Sequence, residues 1–188
     1  MTQEKQWRDI SRNCLKNHSV PLPLQALWRE KQSGTNFLSD WHFGDAKLID
    51  FYPDDIFHGY TAEFIGSQRD SDAWRKMFDE IGIFAIERDG GLIGLWFHSK
   101  YVDSESAPVV QIDSEGQLMI LSRNITDYPA AKAWWNAEGR DFDDAYQLVV
   151  EWSIKYKLTD LIEVDELDAK ISGFPDPEKR FQEYYDAL

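Results

Sequence analysis

A chain of 188 residues can bury one sizeable core, and its 43% hydrophobic and 14% aromatic content excludes the regime that keeps chains disordered, even at a net charge of −14. That charge is uneven, +3 over residues 1–35 and −17 over 36–188, a field that repels nucleic acid and anionic membrane and favours basic partners, while also serving solubility. One cysteine, Cys14, excludes an internal disulfide and fits a reducing, cytoplasmic setting. The polar start "MTQEKQWRDISRNCLKNHSV" lacks the apolar stretch of a signal peptide, and no run reaches the roughly 18 to 20 apolar residues that span a bilayer.

Trp7, Ile10, Cys14 and Leu15 have helical spacing and predict an amphipathic helix over 2–17, with Cys14 on its buried stripe. Pro21 and Pro23 then admit a second helix over 22–32 that Gly34 stops. "NFLSDWHF" and "AKLIDFYP" read as strands. "DSDAWRKMFDEIG" predicts a helix begun by its acidic residues and stopped at Gly82. "IFAIERDGGLIGLWFHS" is a hairpin turning at Asp89-Gly90, and "APVVQIDSEGQLMILSRN" is a second, with Gly116 in the turn. Asn124 or Thr126 caps a helix through Ala130–Trp135, ended by Gly139. In "DFDDAYQLVVEWSIKYKL" the residues Tyr146, Val149, Val150, Ile154 and Leu158 predict one apolar stripe of a helix. "TDLIEVDELDAKISG" reads as helix or strand, and Pro177 opens a last helix. Helices, then strands, then helices, with no repeat or linker, predict a single α+β domain over 1–188 with an antiparallel sheet.

No residue cluster specifies a reaction. His18, His42, His58 and His98 lack the short spacings of a metal site, and no metal or other cofactor is expected. "DSEG" at 113–116 shares the start of a calcium loop but lacks its later ligands. Ser67 in "FIGSQ" lacks the glycine pair of a nucleophile elbow, and the glycines of "DGGLIGLW" precede a strand where phosphate binding needs a helix. An acid pair for general acid and base work needs one buried member, whereas most of the 34 acids sit in polar stretches. "DFDD" and "DLIEVDELD" read as solvated faces or, alternatively, docking acids. Trp134-Trp135 reads as core in preference to a binding patch, although two adjacent helical tryptophans cannot both face inward, which leaves one as a candidate contact.

"GLIGLWFHS" followed by "APVVQIDSEGQLMILSRNITDYPA" resembles the central signature of the SUKH superfamily. There an aromatic-ended strand precedes a Pro-led strand, an acidic glycine turn, a further strand and a polar helix start. The matching positions are Trp96, Pro108, Val109, Val110, Asp113, Glu115, Gly116, Leu121, Asn124 and Tyr128, and "PLPLQALWREKQSGTNF" is similar to the family's opening. The resemblance covers about residues 20–130 and leaves 140–188 as an unmatched helical extension; Pro129 departs from the family, whose helix runs on after the aromatic.

The resemblance implies an α+β fold with a curved, mostly antiparallel sheet and flanking helices, and a protein that binds other proteins without catalysis. Many bacterial members are immunity proteins that neutralise a cognate polymorphic toxin, and eukaryotic relatives include regulators of cell-wall synthesis. The expectation is a cytoplasmic immunity protein that covers a basic toxin domain. The acids such a surface would use are Asp103, Glu105, Asp141, Asp143, Asp144, Asp160, Glu163, Asp165, Glu166 and Asp168. The alternatives are a regulatory interaction module that uses exposed aromatics, and a hydrolase with an unrecognised carboxylate pair.

Overall fold

In "IGIFAI" and "LIGLW" nearly every residue is apolar, so both faces of these strands need covering, unlike a sheet with one face in water. The computed structural model describes residues 3–34, 47–48, 67–100, 102–136, 142–158, 161 and 173–188, and in it helices lie on both sides of the sheet. The strands are β1 Lys47–Leu48, β2 Ile81–Ile86, β3 Leu92–Trp96, β4 Val109–Ile112 and β5 Leu118–Ser122. They pair antiparallel in sequence order, with Ile83 opposite Gly94, Gly94 opposite Val110 and Val110 opposite Ile120. The expected α+β class with an antiparallel sheet is what the chain adopts.

Six helices are described: α1 Gln3–Cys14, α2 Leu22–Ser33, α3 Gln68–Glu80, α4 Tyr128–Asn136, α5 Phe142–Tyr156 and α6 Pro177–Asp186. One face of the sheet, with Phe84, Ile93, Leu95 and Val109, packs with α1, α2, α4 and α5; the other, with Ile83, Leu92, Trp96 and Val110, packs with α3 and α6. Both hairpins turn where the sequence places them. Gly90 and Gly116 hold φ of 95° and 84°, a region closed to most side chains, while Asp89 keeps a negative φ. Asp113 answers for the acidic turn, because its Oδ1 accepts the amides of Glu115 at 2.9 Å and Gln117 at 2.8 Å. The turn is structural punctuation.

Several expectations are corrected. Helix α3 starts at Gln68, with Ser67 as its cap: Ser67 Oγ accepts the Asp70 amide at 3.2 Å and donates to Asp70 Oδ2 at 2.5 Å. It ends at Glu80, so Gly82 is a strand residue, and a Cβ there would sit 3.0 Å from Cys14 O and Leu15 Cα. Gly82 is small because the end of α1 lies on it. Helix α5 is rotated from the expected phase: Ala145, Val149, Trp152 and Ser153 are buried, while Ile154 is 70% exposed. Asn124, rather than Thr126, steadies the entry to α4, accepting the Asp127 amide at 3.1 Å. The strands expected over 36–43 and 46–53, apart from Lys47–Leu48, lie outside the described residues, as do Gly139 and the segment 159–172 except Leu161.

Candidate functional site

Helix α4 lies against the sheet through Tyr128, Ala130, Ala131 and Ala133, and the small alanines allow a close approach. Its last turn then carries Trp134 and Trp135, which are 45% and 57% exposed. The core reading of this pair is corrected, since both tryptophans reach solvent. Trp134 meets Phe142 edge-on at 5.2 Å, and Phe142 stacks on Tyr146 at 5.6 Å, so an aromatic row runs from α4 onto α5. Adjacent large apolar side chains at a surface carry a desolvation drive that a solitary exposed residue lacks.

Beside Trp135 opens a cavity of about 670 Å³ between the tip of the β2–β3 hairpin, strands β4 and β5, and the end of α4. Leu121, Met119 and Trp135 supply its apolar lining, and Asp89, Gln111 and Asn136 supply polar groups. At its base Lys132 Nζ donates to Glu87 Oε1, and Gln111 Nε2 donates to Glu87 Oε2 at 2.6 Å. The Lys132 and Glu87 side chains are only 10% and 12% exposed, so removing either one strands a nearly buried charge. Beneath them the hydroxyl of Tyr128 is buried, with no hydrogen-bond partner among the described residues. Burial, and then the nearby Glu87 charge, push its pKa well above the usual phenol range.

Apart from the turn and cap residues described above, the residues nominated from sequence divide into four groups. Trp96, Pro108, Val109, Val110, Leu121 and Tyr128 are buried structural positions, and the Trp96 amide donates to the Pro108 carbonyl at 2.9 Å. Asp103 and Glu105 are exposed but already engaged in local structure. Asp103 Oδ1 accepts the Ser106 amide at 2.9 Å and the Ser106 hydroxyl at 2.9 Å, which chiefly hold its pKa below the usual carboxylate range, and it also accepts the Glu105 amide at 3.0 Å. Glu105 Oε1 accepts the Leu22 amide at 3.4 Å, at the start of α2. Asp143 and Asp144 stand exposed in the first turn of α5, directly after Phe142, where the helix dipole favours them. Asp141, Asp160, Glu163, Asp165, Glu166 and Asp168 lie outside the described residues.

Sequence reasoning missed the cluster at Glu80. Its carboxylate receives Arg180 Nη2 at 2.6 Å, Trp96 Nε1 at 3.2 Å and the Tyr184 hydroxyl. Burial alone would raise the Glu80 pKa, but the hydrogen bonds from Arg180, Tyr184 and Trp96 more than offset it and hold the carboxyl below its ordinary value. A general acid needs the opposite shift. The Tyr184 hydroxyl is pushed up to about 12, first by burial and then by the Glu80 carboxylate. His98, its ring 5.0 Å from Trp96, is lowered by burial, partly offset by Glu80. No sequence signal links Glu80 to Arg180, one hundred positions later.

Among the described residues no group of three or more His, Cys, Asp or Glu side chains is placed to hold a metal, and no helix is long and apolar enough to cross a membrane. Neither a family model nor a curated protein nor a solved structure matches this chain.

Proposed function

We propose that this chain is a non-catalytic protein-binding domain, of the kind that neutralises a toxin as an immunity protein by covering its working surface. The observation that carries the binding reading is the exposed pair Trp134 and Trp135, continued by Phe142 and Tyr146 beside a cavity. Tryptophan and tyrosine supply large contact area at low entropic cost and are enriched among the residues that dominate binding energy. The resemblance to the SUKH superfamily supports the immunity role, and the net charge of −14 supports a basic partner, as toxins that act on nucleic acid must be. The exposed aromatics equally suit the second reading, a regulatory interaction module of the same fold.

Purification of the tagged chain from its native host, with identification of what is retained, tests the proposal. The expected result is one basic protein held in stoichiometric amount. Turnover of ester, phosphoester or glycoside substrates by the purified chain, with activity lost on substituting Glu80 or Glu87, would contradict it in favour of a hydrolase.

A further inference from the structure

The polar groups around the cavity are oriented by what they already bind. Gln111 Nε2 donates to the Glu87 carboxylate at 2.6 Å, and a carboxylate only accepts, so the Gln111 carbonyl oxygen is left over as an acceptor. Asn136 Nδ2 donates to the Lys132 carbonyl at 2.8 Å, which likewise leaves the Asn136 side-chain oxygen as an acceptor. Asp89 uses Oδ1 for the Gly91 amide at 3.0 Å, and its second oxygen remains. No donor among the described residues reaches any of these three oxygens. The cations on the lining are occupied: Lys132 is held by Glu87, and Arg88 has an interaction of its own. A half-exposed indole, Trp135, stands over the same space.

A site rich in acceptors, short of available donors and walled by an indole face matches a planar cation with many N–H groups. Guanidinium has five donors in a rigid fork and stacks on tryptophan, whereas the lysine ammonium is a strongly hydrated point charge. We propose that this cavity receives an arginine side chain of the partner protein, stacked on Trp135 and hydrogen-bonded by Asp89, Gln111 and Asn136. The proposal rests on the protein-binding reading and names the anchor that reading leaves open. The volume of about 670 Å³ accommodates the side chain and its flanking backbone, and the net charge of −14 favours the approach of a basic surface.

The test titrates acetyl-Gly-Arg-Gly-amide into the full chain and follows the indole N–H resonance of Trp135, assigned with Trp135→Phe. Peptides with lysine or the neutral isostere citrulline replacing arginine serve as comparisons. Saturable binding is expected for the arginine peptide, roughly fivefold or more tighter than for either comparison, and weakened about threefold or more by Asp89→Asn, which keeps the oxygen that accepts the Gly91 amide. Equal response to arginine and citrulline, or a response that spares Trp135, would overturn the proposal. A partner that binds Asp89→Asn as tightly as the native chain would also overturn it, and would leave the tryptophan-based reading standing. If no protein is retained from the host while the arginine peptide binds at Trp135, the reading that fails is protein neutralisation, not the arginine site.

Discussion

Glu80 is tied to three side chains from two other elements, and its worth to the fold is measurable. Its side chain is 17% exposed and that of Arg180 is 35% exposed, so solvent screens part of the pair. Glu80→Ala is expected to cost about 2 kcal/mol, since it leaves the Trp96 indole N–H and Arg180 without their acceptor; urea denaturation at neutral pH measures it. The pH dependence follows from the lowered pKa. Between the folded value and 4.5 the unfolded chain binds a proton that the folded chain does not. Stability from Glu80 is therefore present above pH 4.5 and is lost as pH falls through the folded value. Glu80→Gln is expected to flatten this acid limb. Tyr184 acts at the other end: with its pKa raised to about 12 from 10, its contribution is complete below pH 10 and lost as pH rises towards 12. The tryptophans divide by environment. Trp152, 3% exposed, is expected to cost about 3–5 kcal/mol when replaced by alanine. Trp134→Ala and Trp135→Ala should each stay within about 1 kcal/mol, because these side chains leave little cavity. Equal losses at all three sites would place Trp134 and Trp135 in the core and remove the binding surface.

The elements show how far the sequence pattern reaches. Hairpins were legible because glycine turns and apolar runs are local signals: Gly90 and Gly116 sit in the turns their spacing predicts. Helices α1, α2 and α6 were legible for the same reason, down to Gly34 after α2 and Pro177 at the start of α6. The phase of α5 was not. Tyr146, Val150 and Ile154 form one apolar line and Ala145, Val149 and Trp152 another, and only the neighbouring elements decide which turns inward. Val149→Lys is therefore expected to unfold the domain while Ile154→Lys is tolerated, a contrast that thermal melts of the two variants would check; equal damage from both would restore the phase read from the sequence, which placed Val149 and Ile154 on one buried stripe. The last helix offers a graded test. Asp176 Oδ1 accepts the Glu178 amide at 2.9 Å, and Asp176→Ala should lower stability by about 1 kcal/mol by chemical denaturation. No change would mean that α6 is held by the Glu80 cluster and by Phe181 on Trp74, 4.6 Å apart, without help from its cap.

For the molecule as a whole, the sheet between two helical layers leaves the aromatic row and its cavity at the end of α4 as the developed surface. The candidate site was the less legible part. Asp103 and Glu105, chosen by charge, serve a turn and a helix start, while the groups that converge come from three separate places, Glu87 from the β2–β3 hairpin, Gln111 from β4, and Lys132 and Trp135 from α4, and no sequence spacing links the three. Charge acts at this scale as a long-range field. A basic partner is expected to associate faster at low salt, with the rate falling as ionic strength rises, while the dissociation rate, set by the aromatic contacts, changes little.

Trp134 and Trp135 are the residues proposed to hold a protein partner. The direct measurement is the affinity of the copurified partner for the native chain and for the double variant Trp134→Ala/Trp135→Ala, by calorimetry, with both forms shown to melt alike. A loss of about a hundredfold or more is expected if the pair includes dominant contacts. Equal affinity for the two forms would contradict the account.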